Sequence, residues 1–137
     1  MDSDTRSFLR AEVADATLSA FLATSVDDRP HVAPVWYTYE ERDGEVVFSM
    51  LTGGRKLANV RENPRVALSI ERADEDSVEW RVAVLGTARV AEDESEVRAA
   101  REAVFEKYYG SDYTDEETEE GGALVEVTAG SVDVEGY

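Results

Sequence analysis

"RPHVAPVWYTYEERDGEVVFSMLTGGRKLANVRENPRVALSIE", residues 29–71, alternates strand-like runs with one short helical stretch. His31 to Tyr39 is rich in β-branched and aromatic types, and Pro34 inside it demands an edge position or a bulge. Asp43-Gly44 is the pair favoured in a two-residue hairpin, so "EVVFSM" (45–50) is expected to return as the next strand. "TGGRKLANVRENP" (52–64) predicts a short helix that follows two glycines and stops at Asn63, because Pro64 restricts the residue before it. "RVALSIE" (65–71) then alternates with period two, as a half-buried strand does.

The helix opens with Arg55 and Lys56, against its own macrodipole, whose positive end lies at the N-terminus. Gly53 and Gly54 permit close backbone approach or positive φ, and the first turn of a helix exposes free N–H groups. A guanidinium fork and an ammonium beside those groups complement a phosphate. Two readings stand: a bound anion, or ion pairs with the neighbouring carboxylates, the glycines merely turning the chain.

Working outward, residues 3–14 predict an amphipathic helix with Phe8, Leu9 and Val13 on its apolar side, and 17–26 a strand ended by the turn "DDRP". "EWRVAVLGTARV" (79–90) predicts a long strand with Trp80, Val82, Val84, Gly86 and Ala88 on one face. Asp93 and Glu96 resemble a capping box, opening a helix whose stripe is Val97, Ala100, Val104, Phe105 and Tyr108 and whose end is Gly110. "SDYTDEETEEGG" (111–122) is a solvated connection, and "ALVEVTAGSVDVEGY" (123–137) closes with one or two strands. Six or so strands and three helices imply a mainly β, antiparallel small barrel or curled sheet with flanking helices, a single domain over 1–137.

Composition narrows the chemistry. Thirty-one acidic residues face 14 basic ones, of which only Lys56 and Lys107 are lysine, giving a net charge of -17. Such a surface repels phosphate backbones, so nucleic acid is not an expected partner. With 42% hydrophobic residues the chain should still fold, and its charge matches the halophilic type of surface, self-repulsion being screened at high salt. The absence of cysteine excludes disulfides, thiolate catalysis and iron-sulfur clusters. No apolar run of spanning length and no secretory signal is seen, so a cytoplasmic protein free of the membrane is expected.

The acidic runs "RADEDSVE" (72–79) and 111–122 lack the ligand alternation and central glycine of a calcium loop and are expected as solvated faces. No metal site is expected. His31 is the sole histidine, no G-x-S-x-G elbow surrounds a serine, and "TGGRK" has neither P-loop nor dinucleotide-loop spacing. His31, Tyr37 and Tyr39 stand as acid–base candidates by position alone; the catalytic residue is unassigned.

Residues 29–71 and "WRVAVLGTARV" (80–90) together resemble the pyridoxamine 5'-phosphate oxidase-like family of FMN-binding split β-barrels. The likeness spans roughly residues 15–90, with the last strands fitting more loosely. Its ordered marks are Pro34-Val35-Trp36, the hairpin, the apolar strand, Arg55-Lys56 followed by Asn59, and Asn63-Pro64 before an alternating strand. The resemblance implies a homodimer with flavin at the subunit interface. It implies that Arg55 and Lys56 hold the flavin phosphate and that Asn59 supports their loop. The ring would lie against Pro34, Val35, Trp36 and Tyr37 and against Ser49 and Met50. Trp36 and Trp80 each suit the face of a flat ring, or the core or dimer contact of an ordinary barrel.

Where the vitamin-processing enzymes carry a hydroxyl residue before Arg-Lys and a threonine in the preceding strand, this chain has Gly54 and Met50. Their C-terminal tryptophan- and arginine-containing signature is absent as well, so the resemblance implies a small divergent member. The expected activity is an FMN-dependent oxidoreductase transferring hydride to or from a small-molecule substrate. One alternative is a reductase using the deazaflavin coenzyme F-420, whose acidic tail would call on Arg61 or Arg65. Another is a flavin-binding module without catalysis.

Overall fold

The alternation around Trp80 is realised as a 14-residue strand, Val78–Ala91, in the computed structural model, which describes residues 1–110 and 122–136. In chain order the elements are α1 (Ser3–Phe8, extended by a widened turn at Leu9–Val13), β1 (Ala20–Val26), β2 (Arg29–Val35), β3 (Thr38–Arg42), β4 (Glu45–Thr52), α2 (Gly54–Glu62), β5 (Arg65–Ala73), β6 (Val78–Ala91), α3 (Glu94–Tyr109) and β7 (Ala123–Gly136). All seven strands form one antiparallel sheet in the order β2-β1-β5-β6-β7-β4-β3.

The two outermost strands, β2 and β3, are consecutive in the chain and joined only by Trp36 and Tyr37. Three Cα steps separate Val35 from Thr38, so the two edges lie within about 11 Å of each other. The sheet must therefore curl round on itself, and it closes without pairing at that seam: a split β-barrel. Leu22, Ile70, Val82, Val125, Phe48 and Tyr37, drawn from most of the strands, fill one common core.

Local chemistry explains the turns. Asp43 and Gly44 both take positive φ (53° and 81°), the requirement of the hairpin turn that matches strand twist. Asp27 and Asp28 do the same at 52° and 61° without any glycine, which acidic side chains tolerate better than most. Asp74 accepts the N–H groups of Asp76 and Ser77 at 2.8 Å each, so "RADEDSVE" is a solvated hairpin connection. Asp93 caps α3 by accepting from the N–H groups of Ser95 and Glu96 at 3.0 Å, and Gly110 ends that helix at φ 68°.

Several expectations need adjusting. The run 31–39 is not one strand: it breaks at Trp36-Tyr37, because Tyr37 turns fully into the core while Trp36 stays exposed. Pro34 does lie on an edge strand, opposite Phe21. The strand expected from residue 17 starts at Ala20. The C-terminal segment is one strand, shifted in register where Leu85 pairs with Ser131 but Gly86 with Ala129. At that shift a Cβ on Gly86 would stand 2.6 Å from the Thr128 carbonyl oxygen, so glycine is required by close approach. The acidic connection lies, but for Gly122, outside the described residues.

Candidate functional site

Four elements converge on one open cleft of about 490 Å³: the end of β2 with Trp36, the end of β4, the glycine pair opening α2, and the last turns of α3. That size suits a small-molecule ligand. Trp36 and Phe105 form an aromatic wall, and Thr52, Gly53 and Lys56 the polar end. Gly54 adopts φ 61°, a left-handed conformation that glycine takes without strain, and this brings the start of α2 to the cleft.

No side chain caps α2, and its first turn contains no acidic residue, so the leading N–H groups have no side-chain acceptor. Among the described residues Arg55 and Lys56 make no ion pair, although Arg6, Arg10, Arg42, Arg61, Arg72, Arg81 and Arg89 all do. In a chain this acidic, the local-carboxylate explanation of the two cations therefore loses its main support. Thr52 is only 5% exposed, its Oγ1 has no hydrogen-bond partner, and it lines the cleft. A buried hydroxyl left unpaired costs about 1–3 kcal/mol, which an oxygen-bearing ligand would offset.

Of the residues marked in the sequence, the cleft brings together Pro34, Val35, Trp36 and Lys56. Arg55 is exposed on the same first turn. Asn59, one turn on, donates from Nδ2 to Thr24 Oγ1 at 3.0 Å and ties α2 to β1. Ser49 instead lines a separate cleft with Tyr39, Arg42 and Glu126, and Met50 is fully buried in the core.

Tyr37 is also fully buried, and its phenol donates to the Val13 carbonyl at 2.7 Å. Burial raises its pKa, so this hydroxyl serves packing and is no acid–base group of the cleft. Tyr39 and His31 do not line the cleft either. Burial raises the Tyr39 pKa as well, and Tyr39 Oη and His31 Nδ1 both lack partners.

The aromatic wall is held from behind by α3. Trp36 stacks on Tyr108 with ring centroids 4.5 Å apart and planes 8° apart, and meets Phe105 edge-on at 6.5 Å. Tyr108 Oη accepts the Tyr37 N–H at 3.1 Å and donates to the Leu18 carbonyl at 2.7 Å. Lys107 Nζ donates to the Tyr37 carbonyl at 2.8 Å and sits 3.6 Å from the centre of the Tyr37 ring. Burial pushes the Lys107 pKa down to about 8, with the Asp15 charge opposing it. Burial likewise raises Tyr108.

Thr52, Lys107 and Tyr108 were not singled out by sequence for these tasks. Thr52 carries a signal, a hydroxyl directly before the glycine pair; the two α3 residues carry none, since their partners are 70 or more positions away. Lys56 is the one titratable side chain lining the cleft among the described residues. The lining suits the binding and orienting of a ligand, with Lys56 as its titratable group. Among the described residues no group of three or more His, Asp or Glu is placed to hold a metal, and no helix is long and apolar enough to cross a membrane.

A family model described as pyridoxamine 5'-phosphate oxidase matches residues 6–134. Among solved structures, the chain is similar to a conserved hypothetical protein of Mycobacterium tuberculosis, with 24% identity, a TM-score of 0.71, and 99% of this chain and 85% of that one covered. It is similar to an FAD-binding protein of Mesorhizobium loti, with 17% identity, a TM-score of 0.64 and coverages of 98% and 94%. It is also similar to an F420 reductase, with 23% identity, a TM-score of 0.63 and coverages of 88% and 93%. These are likenesses of fold. No curated protein matches the chain.

Proposed function

Since the chain belongs to the pyridoxamine 5'-phosphate oxidase family, matched over residues 6–134, we propose that the cleft at the start of α2 binds a flavin-type cofactor by its phosphate. The observation that carries the proposal is the coincidence, at one end of an aromatic-walled cleft, of a free helix N-terminus, two unpaired cations and the unpartnered Thr52 Oγ1. Two of the similar folds are named for FAD and for F420, which supports a flavin-type ligand without choosing among its forms.

In this reading Arg55 and Lys56 neutralise the phosphate and the α2 N–H groups and Thr52 satisfy its oxygens. Pro34, Val35 and Trp36 lie where a flat ring would rest, apolar faces against it and strand backbone at its edge. Asn59 fixes α2 on the sheet, while Lys107 and Tyr108 fix Trp36-Tyr37. The bound flavin supplies hydride-transfer chemistry, and the protein supplies binding, orientation and exclusion of water. FMN and the deazaflavin coenzyme F-420 share the phosphate this end requires. The function proposed is an oxidoreductase acting on a small molecule, with a flavin-binding module as the second reading, because the cleft offers no evident proton donor beyond Lys56.

A homodimer belongs to the same proposal. On the outer face Val32, Ala23, Ala67 and Leu85 lie in register across β2, β1, β5 and β6, and Val32 and Leu85 are each 62% exposed. An apolar row of that kind on an acidic protein suits self-association.

The test is the absorption spectrum of the purified protein in molar salt, with mass spectrometry of anything released and titration with FMN and with F-420. A flavin-type chromophore, or micromolar binding of either cofactor, supports the proposal. Binding of neither contradicts it. Turnover of reduced cofactor with small acceptors then separates the oxidoreductase from the binding module.

A further inference from the structure

Both backbone polar groups of Tyr37 are held from α3 by consecutive residues. Tyr108 Oη accepts the Tyr37 N–H at 3.1 Å, and Lys107 Nζ donates to the Tyr37 carbonyl at 2.8 Å. Tyr37 lies between β2 and β3, outside the ladders of both, so no strand partner holds either group. The residue before it is Trp36, the aromatic wall of the cleft, and the grip on Tyr37 therefore sets where that wall stands.

The Lys107 half of this grip depends on charge. Its ammonium lies 3.6 Å from the centre of the Tyr37 ring and 5.0 Å from that of the Tyr108 ring, and among the described residues it makes no ion pair. On its own helix the positions one turn away are Ala103, Val104 and Gly110, none of them charged. From the other elements Asp15, on the segment before β1, is the charge that reaches it and favours the ammonium, while Arg72 of β5 acts on the Tyr37 phenol. A carbonyl and two ring faces thus hold a cation with little counter-charge. Burial opposes that charge and brings the pKa down to about 8, where a modest rise in pH removes it. A neutral amine loses the attraction of both rings and keeps only an uncharged hydrogen bond, weaker than a charge-assisted one.

We propose that Lys107 is a positioning residue whose proton regulates the cleft: the ammonium holds Tyr37 and the Trp36 wall in the ligand-binding position, and the neutral amine releases them. The inference rests on the reading of the cleft as the cofactor site. Its sign is distinctive. Folding disfavours the Lys107 charge, so stability gains as pH rises past about 8, whereas binding favours the charge, so affinity falls over the same range. A residue that only braced the fold would move stability and affinity together.

FMN affinity is to be measured by fluorescence titration in molar salt between about pH 7 and pH 9. There the FMN phosphate is already a dianion, and the Tyr37 and Tyr108 phenols, their pKa values raised by burial, stay protonated. Wild-type affinity should weaken by about threefold to tenfold across this range. Lys107→Arg, which keeps its charge, should hold its affinity constant, and Lys107→Gln should bind weakly throughout. The emission of Trp36, taken as the difference from Trp36→Phe, is a readout without cofactor and should shift with pH in the wild type but in neither Lys107 variant. Constant wild-type affinity, constant Trp36 emission, or an equal fall in Lys107→Gln each overturns the regulation while leaving the cofactor site standing. Absence of FMN binding at every pH overturns the cofactor reading instead, and the Trp36 emission then still decides whether the Lys107 proton moves the wall.

Discussion

Tyr108 stacks face to face on Trp36, 4.5 Å between ring centroids, while its hydroxyl accepts the N–H of the next residue, Tyr37, at 3.1 Å. One side chain of α3 thereby fixes the ring that walls the cleft and the backbone that closes the barrel seam. Tyr108→Phe should keep the stack and cost about 1–3 kcal/mol, leaving the Tyr37 N–H and the Leu18 carbonyl without their partner. Tyr108→Ala should also shift the emission of Trp36 to the red, since Trp36 loses its stacked neighbour. Chemical denaturation and tryptophan fluorescence check the pair; Trp80, buried against Phe8, should report no change.

Lys107 gives the pH dependence its sign. Burial lowers its folded pKa to about 8 from the ordinary lysine value of 10.5, so between those values the unfolded chain binds the extra proton. The lysine therefore penalises the folded state below pH 8, and the penalty fades as pH rises from about 8 to 10.5. Lys107→Met removes that dependence. The stability of the wild type minus that of the variant should climb across this window in urea melts at fixed salt. A difference that falls instead would show that the ring faces of Tyr37 and Tyr108 favour the charged form more than burial opposes it.

Glu126 is almost fully buried and is held by Arg42 at 2.6 Å and by Arg89. Burial would raise its pKa, but the two guanidinium groups together carry it below the usual value of 4.5. Its stabilising contribution is thus present above pH 4.5 and is lost as pH falls through the lower folded value. Glu126→Gln should destabilise by about 1–3 kcal/mol at neutral pH, and the difference from wild type should vanish on acidification; thermal melts from neutral pH downward measure it.

Gly86→Ala should be among the most damaging single changes. Its Cβ would meet the Thr128 carbonyl oxygen at 2.6 Å and a Val127 methyl at 2.8 Å, and backbone cannot swing aside as a long side chain can. A cost of about 2 kcal/mol or more is expected, read as a shift of the urea midpoint, whereas Gly53→Ala, with open space around it, should alter stability far less.

Much of the barrel was legible because its signals are local. Asp43-Gly44 fixes a hairpin, Pro64 stops α2, and Asp93 opens α3, each by chemistry within four residues. The break at Trp36-Tyr37 was not legible, since both residues suit a strand and only the distant Val13 carbonyl, Lys107 and Tyr108 decide that Tyr37 turns inward. The same holds at the site. Arg55 and Lys56 advertise an anion by standing at the wrong end of a helix. The part played by Thr52 depends on burial, which no short motif encodes.

The most direct test is the flavin affinity of the Arg55→Ala, Lys56→Ala double variant. Both side chains leave the core untouched, so the fold should persist. Fluorescence titration with FMN and with F-420, beside the wild type, should show affinity weakened by about a hundredfold, since two charge-assisted phosphate contacts are removed. Unchanged affinity for both cofactors would contradict the assignment of the α2 N-terminus as the phosphate site.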